Sequence, residues 1–269
     1  MTCPAIQIRD LRKRFRKRRG AGGVSATAEW ALGGVSFQVA RGETYGLLGP
    51  NGSGKSTLIR ILSTLLFADE GEVRLLGHRL PEEQARVRWL IGRVSVDAAF
   101  YKKLSARENL LYTALLYGLK PAVVEPRAMQ VLERLGMEER TFSAPLEEMS
   151  RGMQQKISIA RALMLDPPVL LLDEPTTGLD PRSRRDVQTF LEDLRERQGT
   201  TILLTTHDMA EAERLCARVG FLAHGRLVAE GTAEQLKRQA SAATLDDAFI
   251  ALTGERVAEA APPVAGKES

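Results

Sequence analysis

The stretch Gly49-Pro50-Asn51-Gly52-Ser53-Gly54-Lys55-Ser56-Thr57 has the spacing G-x-x-x-x-G-K-[ST]. Residues of these types can enclose a chain of phosphates. Glycines let the backbone curl so that several N–H groups point at one anion. A helix beginning near Lys55 adds its free N–H groups and the positive end of its dipole. Lys55 supplies a full charge for the β- and γ-phosphates, and the Ser56 hydroxyl can ligate Mg²⁺. The second group lies 118 positions after Lys55, where Val169-Leu170-Leu171-Leu172 leads into Asp173-Glu174-Pro175. Two adjacent carboxylates at the end of a buried strand are costly beside a core unless a cation offsets them. Asp173 suits a metal shell. Glu174 is then placed to polarise a water against a γ-phosphate. Alone, such a pair often just ends a strand in a turn; behind a phosphate loop it has a catalytic reading. The chemistry is phosphoryl transfer to water, which depends mainly on positioning and charge stabilisation.

These residues need strands to carry them and helices to back them. Strand-like segments are read at residues 5–11, 35–39 and 43–48, then at 71–76 and 90–96. Ser36, Phe37, Gln38 and Val39 alternate polar and apolar, as a half-buried strand does. Residues 16–29 are rich in Gly, Ala and charge and read as a flexible hairpin insertion. A helix is expected over 55–66. Helix periods then dominate, at 106–117, 126–135 and 152–165, and Pro167-Pro168 stops the last of these. Residues 169–172 form a continuous apolar run, expected as a buried parallel strand. Further helices are expected at 182–197, 208–217, 232–239 and 245–252, with a strand at 200–205. A hairpin over 219–229 turns at His224-Gly225. An α/β body is thus interrupted by a helical block and resumed, without an internal repeat.

The chain has 269 residues, enough for one large domain with a sizeable core. Only 5% are aromatic, so aliphatic side chains must fill most of that core. No window carries the ~18 uninterrupted apolar residues of a membrane helix, and the first ten residues lack a signal pattern. The expectation is a cytosolic protein. Cys3 and Cys216 have neither metal-ligand nor C-x-x-C spacing and read as ordinary residues. Net charge is +4, yet residues 9–19 hold eight basic residues and one acid, leaving the remainder net acidic. Such a block can touch anionic lipid or nucleic acid; its plainer reading is a solvated strand end and loop.

Three more pieces stand in order around the carboxylate pair. They are Met149-Ser150-Arg151-Gly152-Met153-Gln154-Gln155, Thr176-Thr177-Gly178-Leu179-Asp180 and Thr205-Thr206-His207-Asp208. With the phosphate loop, this set resembles the ABC-type ATPases over roughly residues 6–252. The resemblance implies an α/β fold: a P-loop NTPase (RecA-like) core, an antiparallel β subdomain and an inserted α-helical subdomain. It places the ATP-binding domain at residues 5–240, with the helical subdomain at 98–166. A short C-terminal helix follows within 241–254, and a disordered tail covers 255–269. ATP and Mg²⁺ are the implied cofactors. Residues 49–57 and Asp173 would hold the nucleotide, Ser56 and Asp173 the metal. Glu174 and His207 would serve catalysis, His207 as the switch histidine. Ser150 and Gly152 match the family's signature and Asp180 its D-loop aspartate; they would meet the nucleotide bound by a second copy. A dimer of ATP-binding subunits, a homodimer in the first reading, is therefore implied. Phe15 matches the place of the adenine-stacking aromatic, with Trp30 as runner-up.

Two departures stand out. The family carries a Gln after the strand that matches 91–96, where this chain has Val96-Asp97. Asp97 is taken as a partial substitute at the metal or water. Arg151 replaces a small glycine, and either points away from the chemistry or pairs with a phosphate. Residues 104–110, with the apolar run 110–119, resemble the subdomain that docks on a membrane permease. Residues 244–254 resemble the end of type-two exporter subunits, which handle drugs, antibiotics, polysaccharides or lipids. The resemblance therefore implies an ATPase at the inner face of the membrane, driving export through a separate permease, with no specific nucleic-acid partner. The alternatives are a soluble ABC ATPase acting on nucleic acid or ribosomes, and a weakly hydrolysing regulatory cassette.

Overall fold

The computed structural model describes residues 3–15, 29–96 and 99–255. Asp97, most of the insertion expected at 16–29, and the tail expected beyond 255 lie outside the described residues.

The phosphate loop hangs from β3 (Thr44–Leu48), whose five residues are all buried. This strand sits inside a six-stranded sheet with β6 (Ile91–Val94), β7 (Val169–Asp173), β8 (Thr201–Thr206), β9 (Arg218–Ala223) and β10 (Arg226–Gly231). The order is β10-β9-β3-β8-β7-β6. All pairs are parallel except the β9–β10 hairpin. That hairpin turns at His224-Gly225, both with positive φ (48° and 71°), the backbone that a tight two-residue turn demands.

The apolar run of β7 splits between two cores. Val169 and Leu171 belong to one, Leu170 and Leu172 to the other. Alternate side chains of a strand point to opposite faces, so a strand covered on both sides must be apolar throughout. One face is covered by α1 (Lys55–Leu62) and a four-stranded antiparallel sheet. That sheet has the order β2-β1-β4-β5, from β1 (Ile6–Phe15), β2 (Glu29–Val39), β4 (Glu70–Leu75) and β5 (His78–Leu80). A one-turn helix, α2 (Gln84–Val87), follows it.

The other face is covered by helices. The inserted block holds α3 (Ala106–Leu116), α4 (Pro121–Arg134) and α5 (Arg151–Leu163). With α6 (Pro181–Gln198) they share one core with Leu170, Leu172 and Leu204 of the sheet. A third cluster joins β9 to α7 (Met209–Leu215), α8 (Ala233–Gln239) and α9 (Leu245–Thr253).

Most elements fall within a few residues of expectation. Strand β2 starts at Glu29, six residues before its expected start at Val35, and helix α4 also begins early. It starts at Pro121 rather than Pro126 and runs through Pro126. Proline is pre-organised for the first helical position, so Pro121 makes a good start. An interior proline removes one backbone hydrogen bond, but Val124, Ala128, Val131 and Leu132 lie buried along this helix, and their burial offsets that loss. β5 and α2, three and four residues long, have too few positions to show a period.

Candidate nucleotide site

The loop between β3 and α1 is shaped by what cannot fit beside it. Gly54 has φ 110°, and a Cβ there would lie 2.4 Å from the Ala31 carbonyl oxygen. Only glycine tolerates both conditions. The loop is thus pinned against β2, and α1 begins at Lys55. The Lys55 side chain is only 4% exposed. Its ammonium donates to the carbonyls of Gly49 (2.7 Å) and Pro50 (3.1 Å). It also stands 3.5 Å from Glu174 Oε1. Burial pushes the Lys55 amine below its ordinary value, and Glu174 opposes that shift.

Asp173 ends β7 directly across from α1. Its Oδ1 accepts from the Ser56 hydroxyl (3.1 Å) and the Thr205 hydroxyl (2.7 Å). Glu174 follows in the left-handed region, φ 48°, a strained backbone for a non-glycine residue that costs ~1–3 kcal/mol and clusters at functional sites. The Glu174 N–H donates to the Thr205 carbonyl (3.0 Å), which anchors that turn to β8. Thr177 donates its hydroxyl to Glu174 Oε2 (3.1 Å). His207 Nδ1 lies 3.2 Å from the same oxygen, at ion-pair distance but off the line a full hydrogen bond needs. The imidazole contact is the largest influence on Glu174 and, with Lys55, outweighs burial to hold its carboxyl down to about 2. Glu174 in turn raises the His207 imidazole against the effect of burial.

Lys55, Ser56, Asp173, Glu174 and His207 therefore form one cluster. The chemistry of the donors fits a Mg-triphosphate. The Ser53 hydroxyl oxygen is buried within the loop without a hydrogen-bond partner among the described residues. Ser56 and Asp173 offer a hydroxyl–carboxylate pair of hard oxygens. No group of three or more His, Cys, Asp or Glu side chains that could hold an ion occurs among the described residues. A magnesium ion does not require one, since it is held by one or two protein oxygens plus phosphates and water.

The signature residues lie elsewhere. Ser150 caps α5, its Oγ accepting from the Met153 N–H at 3.2 Å. That oxygen keeps its own O–H free to donate. Asp180 caps α6 by accepting from the Arg182 and Ser183 N–H groups. Gly152 brings these two caps together: a Cβ there would lie 2.6 Å from Ser183 Oγ and 3.3 Å from Asp180 Oδ2. Close packing inside the chain thus demands this glycine. Arg151 folds against Gly178, where a Cβ would meet its Nη1 at 2.7 Å. Among the described residues, no hydrogen bond or ion pair joins Ser150 or Gly152 to Lys55 or Glu174. The link runs through Gln155, which donates to the Pro175 carbonyl at 3.0 Å.

Phe15 and Trp30 are both exposed near the shared end of β1 and β2. Lys13 pairs across the ladder with Leu32 and lies 5.7 Å from the Phe15 ring. Phe15 thereby shares the face of Leu32, which meets Gly54 of the loop. Trp30 instead stacks with Arg12 and Arg14, at 6.0 and 5.5 Å, on the opposite face.

Glu211 is a residue that sequence reasoning missed. It is 2% exposed. Its Oε1 accepts from the Thr176 hydroxyl (2.6 Å) and Gln188 Nε2 (3.5 Å). It ties the turn after Glu174 to α7, the helix that follows His207. Burial raises its carboxyl above the ordinary range, so the folded chain holds the proton more tightly than the unfolded one. That stabilisation is complete below the unfolded pKa and is lost as pH rises through the folded value. Glu211→Gln should therefore gain stability relative to the parent as pH rises above the ordinary carboxylate range. Glu211→Ala should lose about 1–3 kcal/mol below the ordinary carboxylate range, because the Thr176 hydroxyl loses its partner, and that deficit should shrink as pH rises. Urea denaturation at several pH values checks both; parallel pH profiles for parent and Gln variant would contradict the assignment.

The family model described as "ABC transporter" matches residues 32–177, more than half of the chain. The linearmycin resistance ATP-binding protein LnrL of Bacillus subtilis is 41% identical over 76% of this chain. That match takes in 65% of LnrL, so the chain spans just under two thirds of that relative's length. The daunorubicin resistance ATP-binding protein DrrA3 of Streptomyces coeruleorubidus is 41% identical over 80% of this chain and 68% of its own. A solved ATP-binding subunit of an ABC transporter superposes with TM-score 0.78 at 33% identity, covering 92% of this chain and 99% of that one. The cassette MJ0796, solved as a dimer in a post-hydrolysis state with ADP and Pi, superposes with TM-score 0.75 at 28% identity. It covers 84% of this chain and 98% of the other. Motif order, sheet topology, site geometry and these matches agree: the chain belongs to the ABC transporter family.

Proposed function

We propose that this chain is the ATP-hydrolysing subunit of an exporter, working as a dimer of ATP-binding subunits on a separate membrane permease. The observation that carries the proposal is the cluster of Lys55, Ser56, Asp173, Glu174 and His207 around a glycine-pinned loop. Lys55 and the loop N–H groups bind the β- and γ-phosphates. Ser56 and Asp173 would hold a Mg²⁺ ion, which would supply charge neutralisation at the phosphates. Glu174 orients a water and takes its proton, and His207 positions Glu174. Ser150, with its free O–H at a helix N-terminus, donates to the γ-phosphate bound by the second copy. Gly152 and Asp180 set the angle at which it does so. Phe15 stacks on the adenine.

The export direction is supported by relatives named for antibiotic resistance and, in several organisms, for Nod factor export. The permease is supported by the helical block, which exposes Tyr101, Tyr112, Leu115 and Leu116. No helix among the described residues is long and apolar enough to cross a membrane. The test is steady-state phosphate release from Mg-ATP, by the chain alone and with the membrane polypeptide it binds. A higher rate in the complex is expected; no ATP-dependent release in either would refute the proposal.

Phe15→Ala should weaken ATP binding by about 1–3 kcal/mol, the usual worth of a base–aromatic stack. Trp30→Ala should leave it unchanged. Titration with a fluorescent ATP analogue distinguishes them, and the reverse ranking would make Trp30 the platform.

A further inference from the structure

We infer that Thr205 is a positioning residue for the carboxylate pair: its hydroxyl sets which oxygen of Asp173 is left for the metal and braces the turn that carries Glu174. This rests on the site reading above and adds a residue to which that reading gives no role. Thr205 lies on β8, whose six residues are all buried. A strand covered on both faces favours apolar side chains, as Ile202, Leu203 and Leu204 show. A buried hydroxyl is costly unless it finds hydrogen bonds. Two other threonines of β8 direct theirs to the backbone: Thr201 accepts from the Gly42 N–H and Thr206 from the Asp208 N–H, each at 3.0 Å. Thr205 is fully buried, and among the described residues its hydroxyl meets only Asp173 and Glu174.

Asp173 and Thr205 stand opposite each other across the parallel ladder of β7 and β8. Leu171 and Leu203, two residues before each, belong to the core packed against α1. Both side chains therefore point to the α1 side, where Ser56 sits. A carboxylate can only accept and a backbone N–H can only donate, which fixes the rotation of the Thr205 hydroxyl. Its proton goes to Asp173 Oδ1 (2.7 Å), and its oxygen accepts from the Glu174 N–H (3.2 Å). Ser56 donates to the same Asp173 oxygen at 3.1 Å. Two donors fill the lone-pair sites of Oδ1. Oδ2 has no donor among the described residues and is the oxygen left to face a metal shell. The terminal torsion of an aspartate is broad and two-fold, so a carboxylate held by Ser56 alone could turn either oxygen inward. Thr205 removes that freedom.

The strand itself does not need the hydroxyl. Valine has nearly the same shape and a strong strand preference. The Thr205 carbonyl also accepts from the Glu174 N–H (3.0 Å), so the turn keeps an anchor without the side chain. What valine cannot do is donate to Asp173. Loss of the hydroxyl therefore acts mainly on the orientation of that carboxylate, and through it on the metal. The phosphate contacts of Lys55 and the loop do not pass through Thr205, so nucleotide affinity without metal is set elsewhere.

The experiment titrates a fluorescent ATP analogue into the purified full chain in EDTA, for the parent, Thr205→Val and Thr205→Ser. Mg²⁺ is then titrated with chain and analogue held fixed, and the free ion at the midpoint of the binding change is read. In Thr205→Val the affinity in EDTA should match the parent. Its Mg²⁺ midpoint should rise about 10–100-fold, the usual effect of removing a hydrogen-bond partner of a metal ligand. Thr205→Ser, which restores the hydroxyl, should recover most of that shift. Thermal melting without nucleotide shows that each variant is folded; if Thr205→Val fails to fold, Thr205→Cys, whose thiol is a weak donor, decides by a shift in the same direction. A Mg²⁺ midpoint that ignores the loss of the hydroxyl overturns the inference and leaves the site reading standing. So does an equal weakening with and without Mg²⁺, which would make Thr205 a packing residue. A parent whose nucleotide binding is indifferent to Mg²⁺ overturns both.

Discussion

Glu174→Gln should lower phosphate release by about 10²–10⁴-fold, the usual contribution of a positioned general base, while leaving Mg-ATP bound. The amide keeps the size of the carboxylate and can still accept from Thr177. What it loses is the ability to take a proton. In the chain as folded, Glu174 is held down to about 2, first by His207 and further by Lys55. A carboxylate so stabilised is a weak base. The groups that stabilise it are those a γ-phosphate would engage: Lys55 directly, His207 from the end of β8. As the phosphate takes up their charge, the carboxylate loses its support and its basicity rises toward the range that suits proton transfer. Resting contacts therefore keep the site quiet until the nucleotide is in place. Single-turnover phosphate release alongside nucleotide retention measures the effect. A variant with normal turnover would move the base to another residue.

Lys55→Ala should weaken ATP binding by about 2–5 kcal/mol, the cost of truncating one partner of a desolvated, hydrogen-bonded charge pair. ADP should suffer less, because the ammonium is shared between the β- and γ-phosphates. The same side chain closes its own loop through Gly49 and Pro50, so part of the loss comes from a loosened loop. Calorimetric titration with ATP and ADP separates the two contributions: a loosened loop weakens both nucleotides alike, a lost charge weakens ATP more. Unchanged ATP affinity would remove Lys55 from the phosphate site.

Much of this site is legible in the sequence because its chemistry is local. The phosphate loop is a backbone shape that needs glycine at set positions, and Asp173-Glu174 advertise themselves by ending an apolar run. The parallel sheet is legible for the same reason, since strands buried on both faces have no alternative to aliphatic residues. What depends on distant neighbours is not. Glu211 reads as an ordinary first-turn residue of α7; nothing nearby in sequence reveals that Thr176 and Gln188 enclose it. Gly152 reads as part of a ligand cradle, yet its immediate reason is the packing of Ser183 and Asp180, some thirty residues on. The early start of α4 follows from apolar residues finding a core, which outweighs a local rule about proline.

The central claim is that one copy's Lys55 and the other copy's Ser150 close on the same triphosphate. Light scattering on purified Glu174→Gln with saturating Mg-ATP tests it most directly, with and without Ser150→Arg in the same chain. The account predicts twice the chain mass for Glu174→Gln, and the single-chain mass once Ser150→Arg is added, with ATP still bound through Lys55. A single-chain mass for Glu174→Gln at saturation, or a dimer indifferent to Ser150→Arg, would contradict it.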